Sequence, residues 1–311
     1  MPTQSDIPVD LDSKMDMNAR GGGGATTPEA DQPASAPTTP EADQPAAAPA
    51  RRSLAGVSAQ QLKVHLTRFP RIYAWTRRPY ATARFILRRP HDRDYAAFGL
   101  FPETDGLFLD VGANAGMSSM SLRIYQPRAR IFAIEPNPFH EPDLRWARRL
   151  VGHLQYGIWA AGDTPGAAEF FIPVYRGVPI TAEASLTREA VAQSPSLAAL
   201  LGDRMSGPDF RIEHTRVEVK RIDDLALEPA LIKLDVQGHE HAALLGMART
   251  LDACGPPVLV EGPSEETTAL MASLGYDPYS YDASVNRLLP LSGYASNVMF
   301  VRGPLPSDAR R

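Results

Sequence analysis

The chain has 311 residues, 43 % of them hydrophobic and 22 % charged, with a formal net charge of −4 and a single cysteine. That balance excludes collagen-like and disulfide-framed classes and leaves enough apolar material for one large buried core. The charge is segregated: residues 1–50 hold eight acids and two bases, residues 51–100 hold eleven bases and two acids, and the remainder sums to −7.

In chain order, residues 1–52 read as a disordered acidic tail. The first 50 residues contain eight prolines and no aromatic residue, so they cannot bury enough apolar surface to offset chain entropy. An exact nine-residue repeat, Thr26–Ala34 and Thr38–Ala46, is too short and too Pro-rich for a solenoid. Residues 53–98 form a basic segment, expected as two or three helices broken at Pro70, Pro79 and Pro90. Its bases are interleaved with Tyr73, Trp75, Tyr80, Phe85 and Ile86. Such a segment either lies on an anionic surface or is a helical subdomain whose arginines face water or the acidic main domain. No nucleic-acid partner is expected. The start of the chain lacks a charged end followed by an apolar core, and no apolar run reaches membrane-spanning length. With one cysteine, Cys254, which reads as a packed small residue before Gly255 rather than a nucleophile, a reducing cytoplasmic location is expected.

From residue 99 to 303 strands and helices alternate, the pattern of an α/β domain with a mostly parallel sheet and helices on both faces. Strands are expected at Leu107–Val111, Arg130–Glu135, Leu154–Ala160, Ala230–Asp235, Pro257–Glu261 and Ser296–Val301. Helices are expected at Ser118–Tyr125, Pro138–Leu150, Glu240–Leu251 and Ser264–Leu274, the last capped by Gly275. Ala167–Pro173 and Thr215–Lys220 read as peripheral or antiparallel strands. Residues 174–214 show no firm period and read as a loop or lid that shapes the acceptor pocket and orders on substrate binding. Residues 304–311 read as a frayed tail.

Two strand ends carry the chemistry. The first strand runs into Asp110-Val111-Gly112-Ala113-Asn114-Ala115-Gly116, a glycine-rich turn that brings backbone N–H groups to a helix N-terminus. A dinucleotide fingerprint counted from Gly112 would need glycine where Asn114 and Met117 stand, which disfavours NAD and hence an oxidoreductase. The turn suits a ligand with a charged amino-acid end and no phosphate: Asp110 for an ammonium, and the N–H groups of Gly112, Ala113, Asn114 and Gly116 for a carboxylate. Glu135, at the end of the second strand, is placed to accept ribose hydroxyls. Pro136 and Asn137 make a rigid turn beside it. Ala160 to Asp163, after the third strand, is where an adenine edge is met, or Asp163 is a turn residue before Pro165-Gly166. The ligand with these features is S-adenosylmethionine.

The second strand end is Lys233-Leu234-Asp235-Val236-Gln237-Gly238-His239-Glu240. Together with Leu109–Gly116, Glu135-Pro136-Asn137-Pro138, Ile222-Asp223-Asp224-Leu225, Leu274-Gly275-Tyr276 and Asn297-Val298-Met299-Phe300, it resembles the FkbM family of methyltransferases over roughly residues 92–301. The chain departs at Gln237, where many members have Glu, and at His239, where many have Ala. The resemblance implies a class I methyltransferase fold, Rossmann-like with a seven-stranded sheet, and O-methyl transfer from S-adenosylmethionine to a hydroxyl of a sugar, glycan or natural product.

An alcohol acceptor needs a base near its proton and an aligned approach to the methyl carbon. Lys233 and Asp235 point to the same face of their strand, either to orient the acceptor or as a structural ion pair. His239 is the first candidate for the base because imidazole titrates near neutrality, with a surface histidine as the alternative. Glu240 is either a base or a helix-capping acid. Glu261 can line the acceptor pocket. No metal site is expected. A non-catalytic membrane or partner adaptor that keeps the cofactor fold as a scaffold is the competing class.

Overall fold

Short apolar runs favour burial on both faces, and five short strands, two of them carrying the buried Asp110 and Lys233, form the parallel centre of the sheet. The computed structural model describes residues 70–306. The expected acidic tail and its repeat, the helices before Pro70 and the end of the chain past residue 306 lie outside the described residues.

In chain order, helix α1 (Pro70–Ile86) precedes a 3-10 segment (Arg93–Leu100), strand β1 (Leu107–Val111), helix α2 (Met117–Tyr125), strand β2 (Arg130–Ile134), helix α3 (Glu141–Val151) and strand β3 (Leu154–Gly157). An insertion follows: β4 (Ala160–Ala161), β5 (Gly166–Tyr175), β6 (Val178–Pro179), helices α4 (Arg188–Ala192) and α5 (Pro195–Leu201), and β7 (Phe210–Lys220). The chain then returns through β8 (Pro229–Leu234), α6 (Glu240–Leu245), α7 (Ala248–Cys254), β9 (Val258–Glu261), α8 (Glu265–Ser273), β10 (Tyr276–Asp282), β11 (Arg287–Pro290) and β12 (Asn297–Arg302).

The main sheet has the order β11-β10-β12-β9-β8-β1-β2-β3. β9, β8, β1, β2 and β3 are parallel, and the three remaining strands are antiparallel. Seven strands were expected; the edge hairpin strand β11 makes an eighth. Neighbouring residues of β1 alternate between two apolar layers. Leu109 and Val111 share one with Leu244, Met247 and Phe300, and Phe108 shares the other with Phe98, Leu122 and Met299. The sheet is therefore covered on both faces.

Several boundaries differ from the expectation, each for a local reason. α1 continues through Pro79 instead of breaking there. The third strand stops at Gly157 because the indole of Trp159 folds back onto it; a Cβ at residue 157 would lie 2.2 Å from the Trp159 Nε1. Residues 160–161 consequently pair with β7 in a second, four-stranded sheet. Residues 174–214 are not a structureless lid. β5 and β7 pair antiparallel from Gly166↔Val219 to Tyr175↔Phe210, and Val191, Leu197 and Leu201 of the two short helices bury against Tyr175. The helix expected over 240–251 breaks at Gly246, where a Cβ would meet the Gly162 carbonyl oxygen at 2.0 Å. β10 and β11 were not foreseen, since Tyr276-Asp277-Pro278-Tyr279-Ser280 shows neither a continuous apolar run nor a proline-free edge. Cys254 is exposed rather than packed. The Ile222–Leu225 stretch is a structural clamp. Asp223 accepts hydrogen bonds from the Thr250 N–H and hydroxyl, both 2.9 Å, at the start of α7.

The 3-10 segment is fastened to the sheet by Phe98, which is fully buried and meets Phe108 edge-on at 4.6 Å between ring centres. Phe98→Ala is expected to cost about 3–5 kcal/mol in denaturant unfolding. Tyr294→Ala, at a side chain 92 % exposed, is expected to change stability by less than about 0.5 kcal/mol.

Candidate functional site

The turn after β1 is pressed against the end of β8. Gly112 has φ +80°, and a Cβ there would lie 1.6 Å from the Asp235 carbonyl oxygen. Only glycine permits both the left-handed backbone and this approach. The Asp235 N–H closes the contact by donating to the Val111 carbonyl at 3.0 Å. The N–H groups of the turn are satisfied internally, contrary to the expectation that they face a ligand carboxylate. Gly112 and Ala113 donate to the Ile134 carbonyl, Gly116 donates to the Ala113 carbonyl, and Ala115 donates to Asn114 Oδ1. Asn114 donates to Glu135 Oε2 at 2.7 Å. Gly116 caps α2 without a side chain to offer its first N–H groups.

Asp110 is fully buried under this turn. Its Oδ2 accepts from the hydroxyls of Ser118 (2.8 Å) and Ser119 (2.5 Å). Its Oδ1 lies 3.5 Å from Lys233 Nζ. The ammonium that Asp110 faces is thus a lysine of the neighbouring strand, not one presented from the crevice. Lys233 also lies 3.4 Å from Asp235 Oδ2 and donates to the Gly112 carbonyl at 2.7 Å. Burial opposes its charge, yet Asp235, Tyr95 and Asp110 together hold it above the ordinary lysine range.

A crevice of about 580 Å³, counted out to its open mouth, lies at the carboxyl ends of β1, β2 and β8. Gly112, Asn114, Glu135, Pro136 and Asp235 line it. Glu135 is nearly buried, with Oε1 accepting from the Asn137 N–H at 2.9 Å in addition to the Asn114 bond. Burial pushes its carboxyl up to about 7, against the pull of those two N–H groups. Across the crevice, Asp235 accepts from Gln237 Nε2 at 2.8 Å and is hydrogen-bonded to Glu261. Burial raises Asp235, but Lys233, Glu261 and Gln237 hold its carboxyl below the usual range. Burial and the bond to Asp235 push Glu261 up to about 8, so near neutrality this pair shares one proton.

Other expected site residues lie elsewhere. Ala113, Gly116 and Asn137 stand behind the crevice wall, with Asn137 Oδ1 capping the turn at Phe139. Asp163 is exposed in the turn after β4 and does not line the crevice. His239 is half-buried at the start of α6, outside the lining, and burial lowers its pKa. Glu240 is a capping acid, since its Oε1 accepts from the N–H groups of Val236 and Gly238, each at 3.1 Å. The far wall comes from the insertion, through Ala160, Ala161, Phe170, Thr181, Ala184 and Leu186. An adenine edge was expected at Ala160 to Asp163, of which Ala160 and Ala161 do line the crevice; apart from the general expectation on residues 174–214, nothing in the sequence marked the others. Among the described residues no group of three or more His, Cys, Asp or Glu side chains is arranged to hold a metal ion.

A family model described as the methyltransferase FkbM domain matches residues 110–278, from the turn aspartate to the antiparallel edge. The chain belongs to the FkbM methyltransferase family. It is 30 % identical over 182 residues to the AMB antimetabolite synthetase AmbE of Pseudomonas aeruginosa, which covers 50 % of this chain and 8 % of that protein. Among solved structures, the methyltransferase FkbM from Methylobacillus flagellatus KT aligns at 17 % identity and a TM-score of 0.41, covering 65 % of this chain and 45 % of that one. A SAM-dependent O-methyltransferase from Thermotoga maritima aligns at 13 % identity and a TM-score of 0.32, covering 68 % and 65 %. This FkbM chain therefore spans only a small part of the curated relative and under half of the first structure.

Two predictions follow from the charges of this FkbM site. Lys233→Met strands Asp110 in the interior and is expected to cost about 3–5 kcal/mol in chemical denaturation, with most of the loss recovered in Lys233→Met/Asp110→Asn. Glu135 binds its proton more tightly folded than unfolded, so its contribution to stability is full below its ordinary value of 4.5 and is lost as pH rises through about 7. The thermal midpoint of Glu135→Gln is expected to gain on wild type between these two pH values; parallel pH curves would contradict this.

Proposed function

We propose that the chain transfers a methyl group from S-adenosylmethionine to a hydroxyl of a sugar, glycan or natural-product acceptor. The observation that carries the reading is Glu135, a nearly buried carboxyl pinned by two backbone N–H groups and facing Asp235 across a crevice at the strand ends. Among the described residues no cation forms an ion pair with that carboxyl, and Lys233 acts on it only from a distance. Its remaining lone pairs suit the two hydroxyls of a ribose. In this reading Glu135 holds the ribose, and Pro136 and the insertion wall bound the base.

When bound, S-adenosylmethionine supplies a methyl group activated by sulfonium charge. The chain's residues do the rest. Asp235 is the proton acceptor in place of His239, because it lines the crevice and His239 does not. With the donor bound, the Asp235–Glu261 pair would take the proton released from the acceptor hydroxyl and return it to solvent, while the donor's sulfonium sulfur would leave with the electron pair of its bond to the methyl carbon. Lys233 keeps Asp235 ionised and oriented, and the apolar wall of Ala160, Ala161 and Phe170 keeps water from competing.

Titration calorimetry tests the cofactor assignment. S-adenosylmethionine and S-adenosylhomocysteine are expected to bind, NAD is not, and Glu135→Ala is expected to weaken binding at least tenfold. Binding of NAD alone, or an unaffected Glu135→Ala, would overturn it. With labelled methyl donor and a small-molecule extract of the source cells, Asp235→Asn is expected to lower transfer by about 10²–10⁴-fold while still binding the donor.

A further inference from the structure

We propose that the outer face of α1 docks the protein on an anionic lipid surface. This rests on the helix alone and is independent of the methyl-transfer reading. The inner side of α1 packs through Ala81 and Phe85 against Met117, Met120, Trp146 and Ala147 of α2 and α3. On the outer side and at the end of the helix, three large apolar side chains stand in solvent: Tyr80 at 55 %, Ile86 at 69 % and Leu87 at 63 % exposure. Tyr80 stands on the outer side of the helix, and Ile86 and Leu87 stand at its end.

The charge of this stretch of chain has one sign. Between Pro70 and His91 there are six arginines and no acid. Arg77 and Arg78 pair with the buried Asp143. Among the described residues, Arg84 and Arg88 reach neutral groups. Arg84 lies over the Tyr80 ring and donates to its hydroxyl, and Arg88 donates to the Ile124 carbonyl at 3.0 Å. Arg89 is exposed beside them, and Arg148 and Arg149 are exposed on the adjoining α3. An apolar strip edged by arginines fits the boundary between acyl chains and acidic headgroups, where aliphatic ends insert and guanidinium groups meet phosphate and carboxylate.

Other occupants fit less well. A second copy docked by this face would set the arginines of α1 against their own images. A nucleic acid is served by open aromatic faces for stacking, whereas here the protruding groups are mainly aliphatic and Arg84 covers the single tyrosine. Crossing the bilayer is a different matter: among the described residues no helix is long and apolar enough for it. The same helix touches the crevice wall, since Arg77 donates to Thr181 Oγ1 at 3.3 Å. A docked protein would hold its crevice beside the lipid surface.

Vesicle co-sedimentation of the full chain tests this. The wild type is expected to sediment with vesicles of equal parts phosphatidylserine and phosphatidylcholine, to stay in solution with phosphatidylcholine alone, and to be released by salt. Arg88→Gln/Arg89→Gln is expected to lower the partition roughly fivefold per arginine. Ile86→Asp/Leu87→Asp is expected to abolish it, with an unchanged melting curve because both side chains are exposed. Equal sedimentation with neutral vesicles, or unaltered binding by both variants, would overturn the proposal. So would an apolar-strip variant whose only effect is a halved mass in light scattering, or a wild type that binds an RNA homopolymer but neither vesicle.

Discussion

The ammonium of Lys233 is the constraint on which the site depends. It lies between Asp110 on one central strand and Asp235 just past the end of its own, and it also binds the carbonyl of the glycine that turns the chain between them. A buried charge without partners would be untenable, but here two carboxylates and a carbonyl surround it. The consequence is positional. The turn after β1 cannot move relative to the end of β8, and Gly112 sits so close to the Asp235 carbonyl that a methyl group could not be inserted. Asp235 is thereby held at one wall of the crevice and, through the Asn114 N–H, Glu135 at the other.

The two carboxyl groups facing the crevice carry different proton affinities for identifiable reasons. Asp235 is drawn down by Lys233 and by the donors that converge on it. Glu135 and Glu261 are pushed up by burial, and Glu261 further by its ionised neighbour. One side of the crevice therefore offers a carboxyl suited to neutral hydroxyls, and the other an ionised group beside a carboxyl that can share its proton. That asymmetry is what a reaction that removes a proton from an alcohol requires.

Much of this was legible in the sequence because it is local. The apolar runs of β1, β2 and β8, the glycine turn and the acids at the strand ends are all readable within a few residues. What the sequence could not disclose depends on long-range packing. Asp110 reads as a ligand group until Lys233, 123 residues later, is seen to occupy it. Glu240 reads equally as base or cap until the N–H groups of Val236 and Gly238 are seen to fill its oxygen. The wall formed by Ala160, Phe170 and Thr181 carries no chemical signature, and it exists because Trp159 folds onto Gly157 and redirects the chain into a second sheet. Polar alternation and prolines likewise concealed the β10–β11 edge.

The account is tested most directly by a crystal structure of the protein grown with S-adenosylhomocysteine. It predicts density in the crevice between the two strand ends, with the ribose hydroxyls on Glu135 and the Lys233 ammonium still facing Asp110 and Asp235. An empty crevice, or a ligand held by residues outside it while Glu135 remains free, would contradict the central claim.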